Sequence, residues 1–164
     1  MTRGRILLAL VVVTASGGTA SWLQAQPTPW LINETDSLPR GVYLRTAGAL
    51  RIGVVVAAAP PMSARSYLDE LGASADARLL KRIAAGPGEE VCRDGARVSW
   101  PRGAVVARVA DRRGRALPTW SGCRRLTGDE FLLLGDTATS FDSRYFGPAP
   151  RAAIHGIYKE VWRW

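Results

Sequence analysis

Two regimes of apolar order divide this chain. Ile6 to Leu23 is a run of 18 residues without a charge, just long enough to cross the ~30 Å hydrocarbon layer as a helix. Beyond Gln26 the apolar residues come in short runs, with turn signals every 8–12 residues between them. Val42-Tyr43-Leu44, Leu79–Ala84, Phe131–Leu134 and Ile154–Trp164 each read as a strand. Leu50–Ala58 also reads as a strand, with Leu50, Ile52, Val54 and Val56 on one face. Asp94-Gly95, between Val91–Arg93 and Arg97–Trp100, supplies the positive φ of a tight hairpin turn. Pro101-Arg102-Gly103 then turns into Ala104–Ala110. One segment departs from the short-strand rhythm: Tyr67, Leu68 and Leu71 fall at helical spacing, with Asp69 and Glu70 outward, which predicts a short surface helix over 63–71. The expected fold class is mostly β, an antiparallel barrel or sandwich with a short surface helix, behind an N-terminal transmembrane helix.

Arg3 and Arg5 precede the long apolar run and no cation follows closely, which orients the N-terminus inside and the remainder outside. Trp22 and Trp30 are placed to anchor at the outer interface. A cleaved secretory signal, with small residues near Ala20 or Ala25, is the other reading of the same segment. Either reading divides the chain into residues 1–27, anchor or signal, and 28–164, an extracytoplasmic β domain. Arg and Lys outnumber Asp and Glu by 22 to 14, a net charge of +8. Nucleic acid, an anionic membrane surface or an acidic partner would each suit that balance. The arginines scatter through turns such as Arg112-Arg113-Gly114-Arg115 and form no helical stripe, so nucleic acid is not an expected partner. The chain has two cysteines, Cys92 and Cys123, and no CxxC or Cys/His cluster, so neither a metal site nor a cofactor is expected. Outside the cytoplasm the pair should form one disulfide; two buried free thiols are the alternative.

Three polar segments carry candidate chemistry. In "NETDSLPRGVY", residues 33–43, Ser37 sits in a turn before Pro and Gly. A serine needs a base before it attacks. The one histidine, His155, lies in "AIHGIY" within the last strand. Spacing permits a Ser37–His155–Asp triad, but a lone strand histidine is more often a hydrogen-bonded side chain. Lys81, in "ARLLKRIAAGPGEE", is the better base. Alternation puts it on one face with Leu79 and Ile83, and burial there would favour the neutral amine. A snorkelling edge-strand lysine is the alternative. In "LLLGDTATSFDSRYFGP", residues 132–148, Ser140, Asp142, Ser143 and Arg144 crowd one turn. Such a loop is costly to order unless each polar group finds a partner. Asp142 and Arg144 are placed to pair, and Ser140 to hold a lysine amine.

In this order, behind an N-terminal anchor, the three segments resemble the type I signal peptidases, membrane-bound Ser/Lys endopeptidases, and most closely their TraF-type conjugative-transfer branch. "LPTWSGCRRL", residues 117–126, resembles that branch too, and the likeness implies pairing of Cys123 with Cys92. The resemblance implies a signal-peptidase-like β fold with Ser37 as nucleophile, Lys81 as general base and Ser140 orienting the lysine. It implies that Thr35 helps form an oxyanion hole. Arg82 with Asp136, and Asp142 with Arg144, resemble the pairs that hold the site. Small-residue pockets are expected from Leu38, Val42, Leu79 and Leu80. The implied substrate is a preprotein or prepilin cleaved after small residues, with cyclisation of a pilin as a branch possibility. Membrane lipid is the implied second partner, and the location is the inner membrane with the catalytic domain on the periplasmic face. Ile52-Gly53, Pro87-Gly88-Glu89 and Gly135-Asp136-Thr137 depart from the family's usual turns. The self-cleaving repressors share a Ser/Lys site but carry a DNA-binding domain where this chain has an apolar segment. A secreted basic β-module binding nucleic acid or glycans is the non-enzymatic alternative. Asn33-Glu34-Thr35 also spells a glycosylation sequon, taken as coincidence beside such a site.

Overall fold

The structure, a computed structural model, describes residues 28–164. The expected anchor over 1–27 lies outside the described residues. Within the described residues, no helix is long and apolar enough to cross a membrane. Eleven strands and two α-helices follow in the order β1 (Trp30–Asn33), β2 (Gly41–Thr46), β3 (Val55–Ala58), α1 (Met62–Glu70), β4 (Leu79–Ala85), β5 (Glu90–Asp94), β6 (Arg97–Trp100), β7 (Gly103–Val106), β8 (Gly122–Arg125), β9 (Glu130–Leu134), α2 (Ser143–Phe146), β10 (Ala149–Pro150) and β11 (Ile154–Arg163). They form a seven-stranded sheet, β1-β2-β11-β3-β4-β9-β10, and a four-stranded sheet, β7-β6-β5-β8. Every strand pairing is antiparallel.

The middle of the large sheet is covered on both sides. Val56, Ala58, Ile83 and Leu133 pack in one cluster. Their strand neighbours Ala57 and Leu80 pack in another with Leu38, Tyr43 and Tyr158. Successive residues of a strand point to opposite faces, so β3 and β4 bury both. A third cluster, Ala85, Val91, Leu126, Leu132 and Leu134, joins the two sheets. Ile83 pairs with Leu133 but Ala85 pairs with Leu132. That bulge rotates the end of β4 from one cluster into the other. β2 and β11 approach so closely that a Cβ on Gly41 would overlap the Trp162 carbonyl.

Several strands differ from their expected extents. The strand expected over 50–58 begins only at Val55. Gly53 takes φ +87° and breaks it with a turn, leaving Ile52 exposed while Leu50 and Val54 pack against the first cluster. The strand expected over 104–110 stops at Val106, and a tight loop around Asp111 replaces its second half. β8 has every residue exposed and so carries no alternation to read. The helix lies at Met62–Glu70 with Ala64, Tyr67 and Leu68 inward.

Cys92 and Cys123 are bonded to each other and sit directly opposite on β5 and β8. The bond closes a loop with a separation of 31 residues. The double variant Cys92→Ser/Cys123→Ser is expected to lose about 3–4 kcal/mol of stability in the chain-entropy model. Denaturant unfolding checks this, and an unchanged midpoint under non-reducing conditions contradicts it.

Candidate active site

The loop between β1 and β2 is built around Asn33. Its side chain is buried, and Nδ2 donates to three main-chain carbonyls, those of Thr35 (2.9 Å), Leu38 (2.9 Å) and Pro39 (3.0 Å). That commits Oδ1 to the other side, where it accepts from the Thr35 N–H and from Thr35 Oγ1 at 2.8 Å. One asparagine thus satisfies the polar groups of a turn too short to form a ladder. It is also unavailable for glycosylation in the folded chain. Sequence reasoning named this residue only as part of a motif. The missed signal was its place at the end of a strand, ahead of a proline-containing turn with carbonyls to satisfy.

Thr35 Oγ1 lies 3.0 Å from Ser37 Oγ, and Lys81 Nζ donates to the same Ser37 Oγ at 2.9 Å. Lys81 is 4% exposed, and its second partner is the Leu80 carbonyl at 3.0 Å. Burial pushes its pKa from the usual 10.5 down to about 8, opposed by the nearby Asp142 carboxylate and assisted by the Arg144 guanidinium. Alternation predicts that Lys81 shares an inward face with Leu79 and Ile83. Leu80 on the opposite face is buried as well, so β4 is covered on both faces and the amine meets the groove beside Ser37.

The turn after β9 locks onto the first loop. The Asp136 N–H donates to the Ser37 carbonyl at 2.6 Å. Gly135 must lack a side chain, since a Cβ there would collide with Ser140 Oγ and the Ser37 carbonyl. Asp142 and Arg144, 0% and 1% exposed, form a buried pair, with Arg144 Nε and Nη2 at 2.8 and 2.9 Å from the carboxylate. Asp142 also accepts from the Gly135 and Arg144 N–H groups, while Arg144 reaches the Thr137 and Ala138 carbonyls. Ser143 Oγ accepts from the Leu133 N–H. Ser140 is the exception: its hydroxyl is buried but has no hydrogen-bond partner, and it makes no bond to Lys81. The half-exposed Arg82 donates twice to Asp136, at 3.1 and 2.9 Å.

A groove of about 490 Å³ runs over these atoms, and Ser37, Thr35, Lys81 and Ser140 all line it. Of the four expected pocket residues, Leu79 and Leu80 line it and Leu38 and Val42 do not. Leu38 is turned into the core against Tyr43 and Tyr158. Val42 lies within β2, flanked in register by Ile32 and Trp162. Leu31, Ile32, Leu68 and Phe141 supply the apolar wall instead. β1 is the free edge of the sheet, and β4 pairs with β9 only from Arg82 onward, so both flanks of the groove retain unpaired backbone. His155 lies elsewhere, in a separate hollow with Arg45 and Arg151.

The sequence matches the family model described as "Signal peptidase, peptidase S26" over residues 6–164. The chain belongs to this family. Among its peptidase S26 relatives, the plasmid transfer protein TraF of Escherichia coli is 30% identical over 174 residues, covering 93% of this chain and 89% of the relative. A second plasmid transfer protein TraF of Escherichia coli is 32% identical over 148 residues, covering 81% and 82%. The probable conjugal transfer protein TraF of Sinorhizobium fredii is 33% identical over 176 residues, covering 97% and 90%. The TraF-type likeness read from the sequence therefore holds. A crystal structure of a signal peptidase I from Enterococcus faecalis aligns with a TM-score of 0.40 and 18% identity, over 68% of this chain and 98% of that one.

Asp142 and Asp136, the two carboxylates of this candidate site, are not equivalent. Removing one partner of the buried pair with Asp142→Ala leaves Arg144 uncompensated and is expected to cost about 3–5 kcal/mol. Asp136→Ala, at a half-exposed pair, is expected to cost about 1 kcal/mol or less. Thermal unfolding of the two variants checks this; equal losses contradict it.

Proposed function

We propose that this chain is a membrane-anchored serine endopeptidase that cleaves a preprotein or prepilin-like substrate after small residues, in conjugative transfer. Ser37 is the nucleophile and Lys81 the general base. One observation carries the reading: an amine shielded from water, with its pKa lowered to about 8, stands 2.9 Å from a serine hydroxyl. A base within direct hydrogen-bond reach, with a pKa near the working pH, is what general-base catalysis requires. A non-catalytic basic β-module gives this buried lysine no role.

The substrate enters as an extended segment, pairing its backbone with the free edges of β1 and β4. Leu79, Leu80, Leu31 and Ile32 leave room for small side chains beside Ser37. Neutral Lys81 takes the Ser37 hydroxyl proton as Oγ bonds to the carbonyl carbon. The same proton passes to the leaving amine as the C–N bond breaks, leaving an ester. Water, or another amine, then gives Lys81 a proton and attacks the ester, and Ser37 Oγ leaves with that proton. A substrate's own amine in this role would cyclise it. The Ser37 N–H donates to no atom of the described residues and is free to meet the oxyanion. Thr35 is the second donor. At rest its proton points to Asn33 Oδ1, so its hydroxyl rotates toward the oxyanion as charge develops. Ser140 lines the same groove with an unused hydroxyl donor, and in this reading it engages the amine only as the proton moves.

The membrane reading has its own support. Trp30, Ile32, Leu44 and Trp162 are exposed large apolar residues, carried on the neighbouring strands β1, β2 and β11, with Trp30 opposite Leu44. This surface suits the outer leaflet beside an anchor in 1–27, with residues 28–164 as the periplasmic catalytic domain.

Ser37→Ala and Lys81→Met are each expected to abolish cleavage of a co-expressed prepilin while the chain still accumulates in membranes; retained cleavage in either overturns the assignment. The logarithm of kcat/KM is expected to rise with pH and level off above about 8, as Lys81 loses its proton. The folded chain releases this proton before the unfolded chain does, so stability also rises between about 8 and 10.5. Below that window the buried charge is a penalty, and Lys81→Met is expected to gain about 2–3 kcal/mol at pH 7. A flat rate profile from pH 6 to 9 contradicts the base. Asn33→Ala is expected to lower kcat about 10–100-fold with KM little changed; a change in KM alone contradicts its positioning of Thr35 and Ser37.

A further inference from the structure

Beyond a ridge formed by Phe141 and Thr139 lies a second hollow of about 240 Å³. Those two residues line both it and the Ser37 groove. Its floor is aromatic, with Tyr67 and Tyr145, and its rim carries Arg108, Arg112 and Arg113. The Arg-rich turn read from the sequence is therefore gathered at one place, next to the groove.

The loop presenting these arginines is braced from within. Asp111 accepts from the Arg113 N–H at 2.8 Å, the Arg115 N–H at 3.0 Å and Arg115 Nε at 2.7 Å. Tyr67 on α1 donates its hydroxyl to the same carboxylate at 3.2 Å, and the Arg115 guanidinium stacks 5.6 Å from the Tyr67 ring centre. Asp111 and Arg115 therefore neutralise each other and fix the loop to the helix. Arg108, Arg112 and Arg113, like seven other arginines among the described residues, have no acidic partner there, but these three line one hollow. Three positive charges over a small aromatic floor call for one compact anion.

We propose that this hollow is a subsite for a carboxylate of the polypeptide bound in the neighbouring groove, either an acidic side chain or a free C-terminal carboxylate. The inference rests on the groove being the peptidase site. Its two shared walls carry an extended chain from one space into the other. Its volume suits one side chain, and guanidinium groups recognise carboxylates by charge-assisted hydrogen bonds. None of its lining residues belongs to the exposed tryptophan-bearing face, which sets it apart from the surface assigned to lipid.

The test uses the full-length Ser37→Ala chain in neutral detergent micelles, with fluorescent peptides built on one alanine-containing cleavage segment. One peptide carries Glu before the bond, one carries Glu after it, and one ends in a free carboxylate; Gln and C-terminal amide versions are the controls. At least one acidic peptide is expected to bind about tenfold tighter than its neutral control, and the responding peptide identifies the source of the carboxylate. The preference should weaken as salt rises. It should disappear in Arg112→Ala/Arg113→Ala, while affinity for the neutral peptide stays the same. Equal binding of acidic and neutral peptides overturns the proposal, as does a preference that survives the double substitution. An effect of that substitution on vesicles containing phosphatidylglycerol, with none on peptides, reassigns the site to lipid and also overturns it. Cleavage of the neutral peptide by the wild-type chain is scored separately. Its absence would sink the peptidase reading, while the binding data would still decide the hollow.

Discussion

A lysine amine held out of water against a serine hydroxyl is the constraint around which this molecule is arranged. Charge on that amine is costly in such surroundings, so the fold does not gain stability from Lys81. It carries the residue at a penalty and supports it with neighbours on both faces of β4. Such local penalties are tolerated where the surrounding structure over-determines the position. Here β3 pairs with β4 through Lys81 itself and β9 from Arg82 onward, and Leu80 and Ile83 are each locked into a separate cluster.

The serine side is held mainly by hydrogen bonds, with Leu38 as its packed anchor. Asn33 ties the start of the loop to its end, and Asp136 grips the Ser37 carbonyl through its own N–H. The buried Asp142–Arg144 pair then fixes the turn that carries Asp136 and Ser140. Each link is short-range, and together they bring residues 33–37, 81 and 135–144 into one rigid patch. Among the described residues, Ser140 Oγ is the one buried side-chain polar atom without a hydrogen-bond partner. That orphan lines the same groove as Ser37 and Lys81, and an unpaired buried hydroxyl in an otherwise satisfied network calls for a role.

The strands that pack on both faces or alternate cleanly were legible in the sequence, as was α1. β4, β9 and β11 each carry apolar runs that no other element explains. The Asp94-Gly95 hairpin was legible from its turn, and Gly95 does take a positive φ of 54°. β8 was not legible, because its burial is nil and pairing with β5 alone defines it. Leu50–Ala58 misled because Ile52 fits the alternation while Gly53 breaks the backbone. At the site, Lys81 announced itself by lying among apolar residues, Asp142 and Arg144 by crowding one turn that needs partners, and Ser37 by its turn and the likeness of its segment. Leu38 and Val42 were misplaced because one-dimensional proximity to Ser37 does not say which way a side chain turns. Asn33 was undervalued because its task, three carbonyls and a hydroxyl, exists only once the loop closes.

Lys81 and Lys159 are the only lysines in the sequence, so a carbon-13 lysine-labelled chain yields two side-chain signals. The pH titration of the Lys81 ε-carbon in the intact chain, assigned with Lys159→Arg, measures the amine directly. A midpoint near 8 is the predicted result. A midpoint near the ordinary 10.5 would mean a solvated, charged lysine, unable to act as base to Ser37, and would contradict the central claim.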